Sequence, residues 1–361
     1  MSLRGKRAEL VEARTVPHRQ GQTGPLRQAQ GASWRTRARW RKPIIALASF
    51  ASVTALSACT LFSYSPTPLP PEAPAPQPTT GAATSKPSKC ANPLASYQPS
   101  GPLPTPEALP SGSTMAKIRK RGRLVAGVSA DTYLLGSRNP FTGEIEGFDI
   151  EMVREVAEAI FGNENRYQLK VITAAQRIPA LEEGDVDIVA RNMTINCDRW
   201  KQIAFSTEYY RSGQKILVRK GSKANSLNDL EGQRVCAPRG TSSMDNLIKE
   251  APKAIPVPAD NHTGCLALFQ QGQVAAITGD DTVLAGLAAQ DPYAVVPEQK
   301  AFTDEPYGLG FNERDVDFVR FVNARLDEMR ASGEWTSIYN RWLRDALGPA
   351  PDPPKAVYGR T

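Results

Sequence analysis

The sequence predicts an α/β protein of two lobes joined by a two-strand hinge. Three observations carry that prediction. Short β-branched runs alternate with stretches whose apolar residues recur at helical spacing, from Leu124 through the last helices. Two extended crossings, near 209–216 and 304–310, take the chain out of one such series and back into it. A length of 361 residues leaves room for two domains, each with a real core.

The net charge of +7 is unevenly placed. Residues 1–58 hold eleven Lys and Arg against Glu9 and Glu12, and without them 33 basic residues face 35 acidic ones. The basicity is local, so no nucleic-acid partner is expected. Arg35, Arg37, Arg39, Arg41 and Lys42 precede an uncharged run, Pro43 to Ala58, that reads as the basic and apolar regions of a signal peptide. Leu56-Ser57-Ala58-Cys59 resembles the lipobox of bacterial lipoproteins, which implies acylation of Cys59 and anchoring to the outer face of the cell membrane. Residues 1–33 exceed what a signal peptide needs, and Val16 is a candidate for the true start. Pro66 to Pro110 contains 14 of the 30 prolines, so residues 59–112 are expected to form an extended tether.

The first lobe is expected over 113–212. Leu124, Val125 and Val128 mark its first strand. Ile150, Val153, Val156, Ala157 and Ile160 follow at helical spacing, with Asp149 as the expected N-terminal cap and dipole partner. Tyr167 to Thr173 is a second strand, and Gln176 opens the next helix. Val186, Ile188 and Val189 then begin a third strand, and polar and apolar residues alternate from Asn192 to Asn196 like a cleft wall. Asp198 is the expected cap of a short helix bearing Arg199. A guanidinium one turn beyond a strand end, beside open backbone donors, suits a small carboxylate.

From Asp187 to Tyr210 the pattern D-I-V-A-x-x-M-T-I-x-x-x-R-x-K-x-I-x-F-S-x-x-Y-Y closely resembles the signature of extracellular solute-binding proteins for polar amino acids. The resemblance extends over roughly 114–346 and implies a periplasmic-binding-protein-like fold. In that family the Thr and Arg of T-I-x-x-x-R hold the ligand's α-carboxylate, which places Thr194 and Arg199 in that role. Q-R-I-P-A-L, from Gln176, is similar to a segment of the glutamate/aspartate branch, where the arginine (here Arg177) meets the ligand's side-chain carboxylate. Arg191 is a second candidate for that task. Asn192 stands where the acidic-ligand branch often has a small residue, so its contacts are expected to differ.

The second lobe is expected over 213–305. Gly213 to Val218 begins its strands, Arg234 to Ala237 is the next, and Gly240-Thr241-Ser242-Ser243 opens a helix whose N–H groups suit an anion. By resemblance, Thr241 and Ser242 close on the α-carboxylate from the opposite wall. His262, at a later helix start, aligns with a histidine near the ligand's side chain in glutamate/aspartate binders. Gly279-Asp280-Asp281 ends a strand, and one carboxylate there matches the family's partner for the α-ammonium. Asp280 is preferred, with Asp281 as the helix cap, and the reverse remains open. The chain returns to lobe one over 306–347, with helices expected at 314–331 and 334–347. Residues 348–361 are expected to be a loose tail.

Cys90, Cys197, Cys236 and Cys265 make an even set in an exported chain, which favours disulfides over free thiols. Four cysteines allow three connectivities. Cys236 and Cys265 fall within one lobe and are paired here, which leaves Cys90 with Cys197. With His18 in the leader and His262 alone beyond it, no metal site and no cofactor are expected.

The sequence therefore reads as a lipid-anchored amino-acid-binding protein. Its ligand is expected to be glutamate, with aspartate, glutamine or asparagine as alternatives. Its partner is an ABC permease or a transmembrane sensor. An enzyme of the dehydratase kind is the rival, although no nucleophile–base pair is apparent.

Overall fold

The computed structural model describes residues 90–361. The leader, Cys59 and the tether before Cys90 lie outside the described residues. The first lobe opens with β1 (Ser96–Tyr97), α1 (Thr114–Arg121) and β2 (Leu124–Val128). A small meander follows, β3 (Asp131–Thr132), β4 (Gly136–Arg138) and β5 (Ile145–Glu146). Next come α2 (Phe148–Phe161), β6 (Tyr167–Val171), α3 (Arg177–Glu182), β7 (Ile188–Ala190) and β8 (Ile203–Phe205). The long β9 (Tyr210–Arg219) enters the second lobe, which adds β10 (Arg234–Pro238), α4 (Ser242–Glu250), β11 (Ile255–Ala259) and α5 (His262–Gln270). Then come β12 (Ala276–Asp280), α6 (Asp281–Gln290) and β13 (Ala294–Val295). The return runs through β14 (Thr303–Tyr307) and β15 (Gly310–Asn312) into α7 (Val316–Ser332), α8 (Glu334–Trp342), α9 (Arg344–Leu347) and β16 (Tyr358–Arg360).

Each lobe is built on a mixed sheet. The first has the order β6-β2-β7-β15-β8, and the second β11-β10-β12-β9-β13. In the first, β2 lies parallel between β6 and β7, and β15 runs antiparallel to β7 and β8. Central β7 is buried at all three residues, as a strand covered on both faces should be. In the second, β10 is parallel to β11 and β12, and β9 is antiparallel to β12. Helices cover both sheets and enclose separate apolar clusters, around Phe148, Val153 and Trp335 in lobe one, and around Leu217, Phe269 and Leu284 in lobe two.

The crossings meet as a pair. β14 runs antiparallel along the first half of β9, from Thr303 opposite Gln214 to Tyr307 opposite Tyr210. The Tyr307 ring packs at a tilt against both Tyr209 and Tyr210 at this junction, with centroids 6.1 and 5.6 Å away. The carboxyl ends of β7, β10 and β12 all point to the space between the lobes, where α/β sheets commonly place their ligands.

Two boundaries differ from expectation. The tether was expected to reach 112, yet Tyr97, Leu103 and Leu109 pack on the lobe-one core. Ser96 Oγ donates to Phe205 O at 2.7 Å, and Asn323 Nδ2 donates to Ser96 Oγ and Tyr97 O at 2.9 and 2.7 Å. The C-terminal segment is not loose: β16 pairs with β1, and the Arg360 guanidinium lies 3.6 Å from the Trp200 ring centroid. Proline content marked the first segment as an extended tether and the last as a loose tail. It said nothing of the aromatic surface on which they dock. The last helix is also broken, with α8 ending at Trp342 and α9 resuming at Arg344.

Two disulfides complete the frame, Cys90–Cys197 and Cys236–Cys265, with Cα separations of 5.6 and 5.5 Å. The first fastens the start of the described chain to the loop between Thr194 and Arg199. The second joins β10 to α5.

Candidate functional site

The wall from lobe one begins where β7 ends. Asn192 takes φ of +37°, a left-handed conformation that Asn tolerates better than most residues. Asp149 holds it there: the Asn192 N–H donates to Asp149 Oδ2 at 2.8 Å, and the Tyr209 hydroxyl donates to Oδ1 at 2.6 Å. Asp149 therefore does not cap α2, whose cap position is Gly147. Its side chain leaves the helix to brace the loop. Burial pushes its carboxyl up to about 6, against the opposing pull of Tyr209, the Asn192 amide, Arg191 and Arg177.

Arg199 opens a single helical turn with Asp198 at the expected cap position, although the Asp198 side chain makes no capping hydrogen bond. The Arg199 N–H bonds Asn196 Oδ1 at 2.9 Å, while Asp198 pairs with Lys201. The guanidinium is buried. Nη1 donates to Thr194 O at 2.6 Å, and Nη2 reaches Gly240 O of the other lobe at 3.5 Å. Burial lowers its pKa, and the charges of Glu305, Asp245 and Asp280 oppose that.

Arg177 is more heavily engaged. Its Nε donates to Ala174 O (2.9 Å), Nη1 to Arg191 O and Asn192 O (3.1 and 3.3 Å), and Nη2 to Gly240 O (3.0 Å). Four backbone carbonyls thus accept from a fork of five N–H groups. Burial, then the like charges of Arg199 and Arg191, hold this guanidinium well below its ordinary range. Arg191 turns behind the loop, where its Nε donates to Ile172 O at 2.9 Å.

Lobe two supplies the opposite wall. Gly240 has φ of +70°, and a Cβ there would lie 2.9 Å from Ala175 Cα of lobe one, so only glycine permits this approach. Thr241 caps α4: its Oγ1 accepts from Met244 N at 3.2 Å and donates to Pro238 O at 2.7 Å. Ser242 Oγ lies 3.0 Å from Thr194 Oγ1 across the cleft. His262, the first residue of α5, rests its ring on Gly279, where a Cβ would come within 2.5 Å of Nε2. Burial and the nearby Arg191 push the imidazole down to about 4, against its bond to the Thr278 backbone, so it is neutral at physiological pH. Asp280 Oδ2 accepts from the Tyr307 hydroxyl at 2.7 Å. Burial and then the Glu305 charge raise its carboxyl to about 8. Asp281 faces away, towards Ser212 Oγ at 2.6 Å and Lys215 at 3.7 Å, and Asp280 itself holds the cap position of α6.

These residues meet at one cavity between the lobes, lined by Arg177, Asn192, Thr194, Thr241, Ser242, Ser243, His262 and Asp280. Its volume is about 10 Å³, roughly one water's worth. Larger hollows open elsewhere, about 510 Å³ under the C-terminal segment and about 580 Å³ at the far end of lobe two. The interlobe cavity is nevertheless where the chemistry converges. Four buried side-chain polar atoms lack a partner among the described residues, and three of them, Asn192 Oδ1, His262 Nε2 and Asp280 Oδ1, belong to residues lining it. Each such group costs about 1–3 kcal/mol, which a chain retains where a ligand satisfies it.

Residues 124–345 match the profile of the bacterial extracellular solute-binding proteins, family 3. The chain belongs to that family. Among its relatives, the ABC transporter glutamine-binding protein GlnH of Bacillus subtilis is 37% identical over 233 residues, covering 64% of this chain and 85% of that one. The glutamine-binding protein of Geobacillus stearothermophilus is 42% identical over 200 residues, 55% of this chain and 76% of its own. A mutant ArgBP from T. maritima shares the fold with a TM-score of 0.59 at 28% identity, covering 63% of this chain and 98% of its own.

Of the site residues read from sequence, the cavity brings together Arg177, Asn192, Thr194, Thr241, Ser242, His262 and Asp280. Arg199 stands just behind Thr194, and Arg191 lies deeper. Two residues of this solute-binding protein were missed, Ser243 of the cavity lining and Glu305 beside it. Glu305, on β14, is 1% exposed and its carboxylate touches Thr194 and Ser242. The signal for it was a carboxylate inside a strand that crosses between lobes, in Thr-Asp-Glu-Pro-Tyr from Thr303.

Proposed function

We propose that this family member is a lipid-anchored amino-acid-binding protein whose cleft takes glutamine ahead of glutamate and closes on it by rotation about β9 and β14. The observation that carries the reading is the trio of unpartnered buried acceptors. Asp280 Oδ1 suits the α-ammonium. Asn192 Oδ1 and His262 Nε2 suit the two N–H bonds of a side-chain amide, since the neutral imidazole spends its own N–H on Thr278. The α-carboxylate is assigned to Arg199 and the N–H groups at Thr194, Thr241 and Ser242.

Glutamate was the ligand expected from sequence, on the strength of Arg177. That fork is committed to four carbonyls, which weakens the case for a second carboxylate beside it. Both relatives above are named as glutamine-binding proteins, which supports glutamine as well. An amino acid is larger than the cavity, so entry requires the lobes to part.

Calorimetry of the purified protein with glutamine, glutamate, aspartate, asparagine and arginine tests the reading. Glutamine is expected to bind at least tenfold tighter than glutamate, about 1.4 kcal/mol. Preference for glutamate returns the selector role to Arg177, and binding of arginine alone sinks both. Closed lobes present the ligand to an ABC permease or to a membrane sensor, and labelled glutamine uptake in a deletion strain separates these. Acylation at Cys59 is tested by mass spectrometry of the membrane-extracted protein.

A further inference from the structure

Glu305 sits where the hinge meets both lobes. Its Oε2 accepts from Thr194 Oγ1 (2.6 Å) of lobe one and from Ser242 Oγ (2.7 Å) of lobe two. Its Oε1 accepts from Asn246 Nδ2 (3.0 Å) on α4 and from Thr303 Oγ1 (2.7 Å) on its own strand. A buried carboxylate is tolerated only when its lone pairs are satisfied, and here four neutral donors satisfy it. Those donors come from three separate parts of the fold. Parting the lobes must break the Thr194 leg or the legs to α4, whichever way β14 moves.

The hydroxyl protons add a second consequence. Thr194 and Ser242 have one each, and both lie within reach of the same Oε2. Neither hydroxyl then has a proton to spare for a ligand carboxylate. What they offer the cleft is lone pairs, and only their backbone N–H groups remain for an anion.

We propose that Glu305 is a positioning residue that latches the closed lobes, drawing Thr194 and Ser242 together from opposite walls and thereby setting how long a ligand stays bound. The ligand half of this statement rests on the amino-acid reading of the cleft. The latch itself does not, because its four bonds are made between protein groups.

The test compares wild type, Glu305→Gln and Asn246→Ala in the full chain. Asn246 removes one leg without lining the cavity, and it guards against a poorly folded Glu305 variant. Spin labels carried by non-canonical residues at exposed Glu158 and Lys249 report the interlobe distance without ligand and leave both disulfides intact. Stopped-flow fluorescence with L-glutamine reports the association and dissociation rates. In Glu305→Gln the ligand-free distance is expected to lengthen and the dissociation rate to rise about tenfold or more, as for loss of a charged hydrogen bond. Association is expected to change by less than about threefold. Asn246→Ala should shift both readouts the same way by less. Folded variants with wild-type distances and dissociation rates overturn the latch. If wild type does not bind glutamine, the amino-acid reading fails, and the ligand-free distances still decide the latch.

Discussion

Asp149 accepts the Asn192 N–H at 2.8 Å, so a carboxylate from the first turn of α2 fixes the one non-glycine cleft residue held in a left-handed conformation. That carboxyl is raised from 3.8 to about 6. A raised acid binds its proton more tightly in the folded state, so its contribution is fully present below about pH 4 and is lost as pH climbs through 6. At two pH units the loss is about 3 kcal/mol. Asp149→Asn is therefore expected to flatten the fall in stability between pH 4 and 6 while weakening ligand binding at pH 7, because an amide cannot accept from both donors. Urea melts across that range, with calorimetry at neutral pH, check it. An unchanged pH slope would mean that another group titrates there.

If Asp280 takes the ligand's ammonium as proposed, ligand binding is expected to be a proton-linked event. With its carboxyl raised to about 8 by burial and by Glu305, Asp280 is largely protonated at pH 6–7. An ammonium ligand demands the carboxylate, so binding should release a proton. Affinity should climb by up to about tenfold per pH unit between 6 and 8 and level off above that. Calorimetry in buffers of different ionisation enthalpy counts the proton directly. Asp280→Asn should abolish both the proton release and most of the affinity. A pH-independent wild-type affinity across that range would place the ammonium elsewhere.

Arg199 and Arg177 should separate cleanly. Arg199→Ala leaves a buried α-carboxylate without its counter-charge, a loss of about 3–5 kcal/mol, and is expected to reduce affinity for every amino acid on the order of 100-fold or more. Arg177→Gln releases the Ala174, Arg191 and Asn192 carbonyls. It is expected to weaken glutamine and glutamate alike, because it loosens the loop both would meet. Titrations of the two variants with both ligands are enough. A loss confined to glutamate would show Arg177 reading the side-chain carboxylate after all.

What was legible in the sequence follows its local physics. The apolar runs of β2, β7 and β12 announced buried strands, and the spacing from Thr194 to Arg199 and the acid that ends β12, Asp280, led to residues at or beside the cavity. Asp149 was visible as a residue but not in its role. An acid in a helix's first turn looks like a cap, and its bonds to Asn192 and Tyr209 lie 43 and 60 positions away. Glu305 left less trace still. Its partners are hydroxyls and an amide, and such pairings leave no pattern of opposite charges to notice. The docked segments after Cys90 and at the C-terminus were obscured because composition records how stiff a segment is, not which rings it meets.

The two docked segments carry the last prediction. Cys90–Cys197 closes a loop of 107 positions, β16 lies beside β1, and Arg360 stacks on Trp200, next to Arg199. Trp200 in turn donates its indole N–H to Pro93 O at 2.8 Å. The segment that follows Cys90 and the C-terminal segment therefore both press on the turn that presents Arg199. Deleting residues 348–361 removes the stack and the strand, and replacing Cys90 with Ser removes a cross-link of about 2–4 kcal/mol. Each change is expected to lower the melting temperature by several degrees, on the scale of about 2–4 °C per kcal/mol for a protein of this size. Each should also weaken the ligand by a few-fold through Arg199, and the effects should overlap when combined, since both act on one turn. Differential scanning fluorimetry with and without glutamine measures this. Stability lost with affinity untouched would show that these segments serve lobe one alone and leave the binding turn to itself.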